Sequence, residues 1–367
     1  MKKTPVVPVG IVAAVLAALQ LLATAFGREY YLTELIMAAY YSVVVLGLCL
    51  LMGYAGQISL GHGGFFAIGG YTSAILTTRH LPWAAGTDWG GWLQRAGVLA
   101  ARQDLYGTDM ITVTPTAAFA AAMALTLAVS LLIGYPALRL KGHYLAMATL
   151  GFGLIVYRIV LGSEFAGAAD GITSVPPWRI TPGLVLSGRR AVRVANYYAA
   201  WGFALLVVLF LIHVTRSRVG RALRSIHGGE TAANAMGIHT AGYKLKAFVI
   251  SALLTAAAGC CLTHYNGGIW PSEAGALKSV RYVALVAAGG MANLWGVLVI
   301  STVLTFLSLR GCFGTFDHAV FGIILIAIIS LAPQGPLKPV AAWLRAAGRA
   351  LRGGRAGDFA GARTHHA

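Results

Sequence analysis

Apolar runs long enough to cross a lipid bilayer recur along nearly the whole chain, and they limit its fold more than any other feature. A hydrocarbon core of about 30 Å is spanned by roughly 20 residues of helix. Such runs stand at residues 6–26, 35–52, 113–133, 144–161, 197–214, 247–262 and 283–307, with shorter ones at 65–78 and 320–331. Backbone polar groups inside a bilayer must be paired within the protein, so these runs read as helices. Only 11% of the residues are charged, against about 25% in a soluble domain. The expected fold class is an all-α membrane protein: a polytopic helical bundle of roughly 8–10 transmembrane crossings with interrupted helices. Residues 1–333 form a single transmembrane domain, and 334–367 a basic cytoplasmic tail expected to be disordered.

The formal net charge is +17. In a soluble protein this would suggest nucleic acid. Here the basic residues collect in connecting segments, as expected of loops on the cytoplasmic side. They lie at Lys2 and Lys3, in the PALRLKG link (Arg139, Lys141), in the loop 216–246, and in the tail. Segments 79–110, with Trp83, Trp89 and Trp92, and 162–195, with Asp170-Gly171, fall on the opposite side. Bringing both termini to the cytoplasm needs an even number of crossings. That favours splitting 283–307 into two short segments at Gly289–Gly296, for roughly ten crossings, with roughly eight as the alternative. Run 6–26 exceeds the ~7–15 residues of a signal-peptide core. It reads as an uncleaved first span, although Ala23-Thr24-Ala25 has the small residues of a cleavage site.

Two interruptions carry glycines: GYAGQISLGHGGFFAIGGY at 53–71 and GGMANLWG at 289–296. Broken helices free backbone groups that bind substrate near the bilayer midplane. Gln57, Ser59, His62, Gly63, Gly64 and Asn293 are therefore candidates for a substrate path. Small residues also let helices pack closely, and that reading stands beside the first. The apolar runs hold no Asp or Glu, with Glu34 at a boundary. Carboxylates would have favoured an ion-driven transporter. There is no phosphate-binding P-loop and no nucleophile or metalloprotease motif. The four cysteines form no C-x-x-C pair. No catalytic residue, cofactor or metal is implied.

The basic loop has internal order. Val219, Leu223 and Ile226 recur at helical spacing, with Arg221 and Arg224 on other faces. After Gly228-Gly229, the stretch from Glu230 to Gly237 reads as a short helix. Glu230 suits its positive N-terminus, and Gly237 is a C-cap. Its small apolar face (Ala232, Ala233, Met236) is a knob for a partner's groove, or alternatively an interfacial helix on membrane lipid headgroups.

Several motifs in order carry a family resemblance: GYAGQISLGHGGFFAIGGYTSAIL, LRLKGHYLAMATLGFG, ADGIT and SRVGRALRSIHGGETAANAMGIHTAGYKLKAFVISA. Over about residues 35–333 the chain resembles the LivM-type permease subunit of branched-chain amino acid ABC importers. The resemblance implies a multi-pass subunit of a bacterial inner membrane. It would move branched-chain amino acids or a related small polar solute. Its partners would be a second, LivH-type permease, two cytoplasmic ATPase subunits and a periplasmic substrate-binding protein, with no nucleic acid. Residues 216–246 take the place of the ATPase-coupling loop, so Arg221, Arg224, Glu230, Ala232, Ala233, Met236 and Gly237 become candidate contacts. Two departures stand out. His227-Gly228-Gly229 replaces an Arg and acidic cluster, and GGMANLWGV lacks the family's usual Ser and Pro. A stand-alone secondary transporter or channel is the alternative; a membrane-embedded enzyme finds no catalytic constellation.

Overall fold

The computed structural model describes residues 6–82, 87–103, 109–138, 140, 142–181 and 183–311, and in the last stretch 319, 321–323, 326–327 and 330. The tail, most of the closing span at 320–331, Cys312, Trp83, Arg139 and Lys141 lie outside the described residues.

The apolar runs are helices. In chain order they are α1 (Val6–Ala25), α2 (Tyr30–Cys49), α3 (His62–Thr78), α4 (Asp88–Arg95), α5 (Pro115–Ala137), α6 (His143–Gly162), α7 (Arg193–Arg216), α8 (Arg218–Gly228), α9 (Glu230–Ala235), α10 (Thr240–Asn266), α11 (Ala276–Gly289) and α12 (Leu294–Leu309). Among the described residues, five stretches are long and apolar enough to cross a membrane, and Val9–Ala25 and Leu294–Leu309 are shorter apolar helices. Punctuation follows the sequence. Pro115 opens α5, where its missing N–H is not needed. Gly267, in the left-handed conformation, closes α10 by donating to the Thr263 carbonyl.

Helix α2 is the hub. Of its most apolar window 89% is buried, against 28% for α5 and 22% for α6. The chain therefore packs around α2 and leaves α5 and α6 at the rim. Contacts along α2 fix the direction of its neighbours. Gly47 meets Ser251 of α10, and Ser42 bonds with Ser301 and Thr302 of α12. Arg310, just past α12, reaches Tyr31 at the start of α2, at 2.9 Å. Helices α10 and α12 thus run antiparallel to α2. Helix α3 runs parallel to α10: His62 meets Ser251, and Ser73 meets His264. The contact at Ser251 lies about 16 Å along α10 at 1.5 Å per residue, so α3 starts at mid-depth.

One end of the bundle carries α8, α9 and the turn at 290–293. The other carries structure that hydropathy does not show. Strands β1 (Leu99–Gln103) and β2 (Asp109–Val113) pair antiparallel after α4. Strand β3 (Ile172–Thr173) pairs with β6 (Gly268–Ile269), and β4 (Trp178–Thr181) with β5 (Leu184–Leu186). The 79–110 and 162–195 segments, read as polar loops, are thereby partly strand. The expected split of 283–307 is present: α11 and α12 are separate and joined at residues 290–293.

Backbone-to-backbone approach through glycine joins α3 to α10. A Cβ on Gly69 would lie 2.3 Å from the Ala256 carbonyl oxygen, and one on Gly259 2.3 Å from that of Phe66. Gly202 on α7 has nothing within 4 Å. Gly69→Ala is expected to destabilise the purified chain by about 1–3 kcal/mol through overpacking. Gly202→Ala should be neutral or stabilising, by up to ~1 kcal/mol of helix propensity. Thermal unfolding in detergent compares them, and equal midpoints would refute the close α3–α10 contact.

Candidate functional site

Toward the end of the bundle that carries α8 and α9, two breaks seat on each other. Helix α2 leaves α-geometry in a π-turn at Leu50–Tyr54, a distortion often found at functional positions. A Cβ on Gly53 would fall 2.2 Å from the Met291 carbonyl oxygen, so only glycine fits there. The Met291 carbonyl accepts from the Cys49 thiol at 2.7 Å, and the Ala292 carbonyl from the Tyr54 hydroxyl at 2.8 Å. The 290–293 turn, with Gly290 and Met291 at positive φ, is thus docked on the π-turn. Asn293 is half-buried at the start of α12, and its side chain does not cap the helix.

Between Ala55 and His62 the chain is not helical, and its polar groups find partners inside the bundle. The Leu60 N–H donates to Thr149 Oγ1 at 3.0 Å, and the Gly63 N–H to Ser279 Oγ at 3.0 Å. Ser59 shares a hydrogen bond with His62 Nδ1 at 3.1 Å, and His62 Nε2 shares one with Ser251 at 2.7 Å. His62 is fully buried. These two residues are satisfied within the core. A Cβ on Gly64 would touch the Phe152 ring at 3.2 Å and Gly153 Cα at 3.3 Å, which is close packing on α6. Gln57 differs. It is only 6% exposed, and its Oε1 has no hydrogen-bond partner. It lines a cavity of about 160 Å³ together with His143, His227, Glu230 and Lys244.

That cavity joins the break to the basic loop. Ser217 caps α8 by accepting the Val219 N–H, and Leu223 and Ile226 are buried as their spacing predicts. Arg221 and Arg224 are exposed, and Arg224 donates to the Thr215 carbonyl at 3.2 Å. The six residues of α9 are pinned by Glu230, which pairs with Lys244 of α10 at 2.5 Å, while Thr240 donates to Asn234 Oδ1 at 3.0 Å. Two readings of this helix change. Ala233 is 1% exposed and turned into its own chain, so it is unavailable to a partner. Glu230 is engaged with Lys244 rather than standing free. Ala232 and Gly237 are exposed, and Met236 is 82% exposed.

A charged cluster escaped the sequence reading. After α10 the chain turns back into the bundle. A single 3-10 turn, Pro271–Ala274, lies against α3, and α11 starts beside it. Glu273 pairs with Lys278. Tyr41, midway along α2, donates its hydroxyl to the Glu273 carboxylate at 3.2 Å, and Lys278 donates to the Tyr41 oxygen at 3.2 Å. Arg281 lies over the Phe321 ring at 4.3 Å. The apolar runs hold no carboxylate, yet the bundle interior holds this one. A Pro and a Glu followed by Lys278 and Arg281, directly after an apolar run, was the available signal.

The chain was compared with known proteins. A family model described as the branched-chain amino acid transport system permease component matches residues 30–329. The high-affinity branched-chain amino acid transport system permease protein LivM of Salmonella typhimurium is 29% identical over 324 residues, covering 82% of this chain and 68% of that protein. The corresponding protein BraD of Pseudomonas aeruginosa is 25% identical over 328 residues, 84% and 96% of the two chains. LivH of Salmonella typhimurium is 23% identical over 264 residues, 71% and 77%. No solved structure matches.

The Glu230–Lys244 pair gives a direct test of how α9 is held. Lys244 is 4% exposed and Glu230 30%. Glu230→Ala leaves a buried ammonium unpaired. It should cost about 2–3 kcal/mol, less than the ~3–5 of a fully buried pair because water reaches Glu230. Glu230→Leu with Lys244→Met removes both charges and should recover most of that loss. A double-mutant cycle on thermal stability in detergent measures it, and additive losses would show that the pair does not pin α9.

Proposed function

Because the chain belongs to the family of branched-chain amino acid transport permeases, whose model covers most of its length, we propose that it forms one half of an ABC importer's membrane path and carries branched-chain amino acids or a related small polar solute inward. It is a multi-pass membrane protein, and its relatives are transport subunits rather than enzymes. The second half of the path is a LivH-type permease. ATP is hydrolysed by two separate cytoplasmic subunits, since this sequence has no P-loop. A periplasmic binding protein delivers the solute. The membrane is the bacterial inner membrane, with the end bearing α8 and α9 in the cytoplasm, because that end concentrates Arg216, Arg218, Arg221, Arg224 and Lys246.

The observation that supports coupling is the position of α9. It stands off the basic end with Met236 outward, and its anchor Glu230 lines the same cavity as Gln57 of the helix break. An ATPase groove that grips Ala232, Met236 and Gly237 would pull, through Lys244 and α10, on the segment that interrupts α2 and α3. The break then moves as a rigid-body step of alternating access. In this reading Gln57 and Asn293 border the moving region. Ser59, His62, Gly63 and Gly64 hold its walls in place.

Met236→Glu is expected to leave the chain inserted and folded, because the side chain faces water. A carboxylate placed in an apolar groove should reduce ATPase co-purification and ATP-dependent uptake at least tenfold, about 1.4 kcal/mol or more. Ala233→Glu is no equivalent, since it buries a charge within the chain itself. Uptake and co-purification within twofold of wild type for Met236→Glu would remove α9 from the coupling interface. Reporter fusions within 216–246 should read cytoplasmic and a fusion at Val175 periplasmic; the reverse result would overturn the orientation.

A further inference from the structure

The ion pair at mid-depth asks for an explanation that packing does not give. Tyr41 is 11 residues into α2, about 16 Å from its start at 1.5 Å per residue. At that level three chain segments converge: α2, the first turn of α3, and the Pro271–Ala274 turn that leads into α11. Gly63 shows how close they are, since a Cβ there would lie 2.7 Å from Ser279 Oγ and 3.3 Å from the Glu273 carbonyl oxygen. Into this junction the chain places a carboxylate, an ammonium and several phenols. The Glu273 and Lys278 side chains are 14% and 32% exposed, so the pair is recessed but open to one side. On α11, the neighbours of Lys278 in sequence, Leu277 and Val280, are 71% and 47% exposed. Tyr71 and Tyr282, 4% and 3% exposed, turn hydroxyls without hydrogen-bond partners into the bundle. Both are within electrostatic reach of the Glu273 carboxylate.

Taking two charges out of water costs more than their mutual attraction commonly returns, so a recessed ion pair is poor evidence of a stabilising role. Ionisable groups within membrane spans mark solute paths by default. Opposite charges a few ångströms apart fit a solute with the same property. We propose that Glu273 and Lys278 form a zwitterion-exchange site. Glu273, with Tyr41 and the free hydroxyls of Tyr71 and Tyr282, takes the α-ammonium of a passing amino acid; Lys278 takes its α-carboxylate. Resting and occupied states each contain two positive and two negative groups once the solute is counted, all paired in both. The pair therefore opens without leaving an uncompensated charge. A solute lacking the carboxylate gives Lys278 no new partner and does not open the pair. The assignment rests on the transport reading above and adds the class of solute and the residues that meet it.

The test uses the complete transporter in proteoliposomes, with its second permease, ATPases and binding protein, and radiolabelled leucine as probe. Glu273→Gln with Lys278→Gln removes both charges and strands neither. It is expected to assemble at wild-type yield, while leucine uptake at saturating binding protein falls at least tenfold. Glu273→Asp with Lys278→Arg keeps both charges and changes their reach; uptake should fall at least threefold with assembly intact. Leucine uptake within twofold of wild type in the neutral pair overturns the site alone. Loss of assembly in both variants makes the pair a structural staple and also overturns it. Absence of ATP-dependent leucine uptake in the wild type overturns the transport reading, and the site with it.

Discussion

Every irregular stretch at membrane depth must find its hydrogen bonds inside the protein, and in this chain two such stretches solve the problem for each other. The π-turn of α2 and the 290–293 turn meet with carbonyls of one facing donors of the other, Cys49 to Met291 and Tyr54 to Ala292. Gly53 removes the side chain that would keep them apart. Neither break would be tolerated alone in lipid. Together they place non-helical backbone toward the basic end, where α2 meets the turn between α11 and α12. The central position of α2 follows, because it carries one half of this joint.

The consequences spread to both ends. Toward the basic end, the segment following the π-turn shares a cavity with α8, α9 and the start of α10, which puts the anchor of α9 beside backbone that is already free of helical hydrogen bonds. Such a segment can shift without first breaking a helix. Toward the other end, α3 starts at mid-depth, and that leaves room for the chain after β6 to turn inward. The β3–β6 pairing ties this inward turn to the segment after α6. The strands at that end tie the loops together in antiparallel pairs.

Much of this was legible because lipid imposes a simple rule on sequence. Hydropathy located the spans, and charge parity together with the glycine interruption favoured the cut near Gly289 that separates α11 from α12. Glycine marked both breaks, since close backbone approach at Gly53, Gly289 and Gly296 admits no side chain. Other features had no such signal. Short strands at the far end follow neither the helical period nor a long alternation. The face of α9 could not be chosen from its sequence, because Ala232 and Ala233 are chemically alike and a six-residue helix shows no period. Only the anchor through Lys244, packed on α10, turns Ala233 inward and Met236 outward. Glu273 was invisible as an interior residue because its partner Tyr41 lies 232 positions away and its own segment is not apolar.

Acidic residues are few, with eleven Asp and Glu in the whole chain, and where they are placed separates their roles. Glu29 pairs with Arg193 at 3.7 Å and Glu34 with Arg310 at 3.6 Å, tying the start of α2 to α7 and to the end of α12. Glu230 ties α9 to α10 at the opposite end. Those three join different elements, and each lies near a helix end. The partly exposed pairs of Glu29 and Glu34 contribute roughly 0–1 kcal/mol each, whereas removing Glu230 would strand the buried Lys244 ammonium and cost more. Glu273 and Lys278 differ in being five residues apart on one stretch of chain and in sitting at mid-depth. Their own pairing joins no separate elements, the link to α2 running through Tyr41, and a pair so recessed bears a desolvation penalty that its attraction only partly returns. What it supplies is a fixed positive and a fixed negative group at the level where helices α3 and α11 begin.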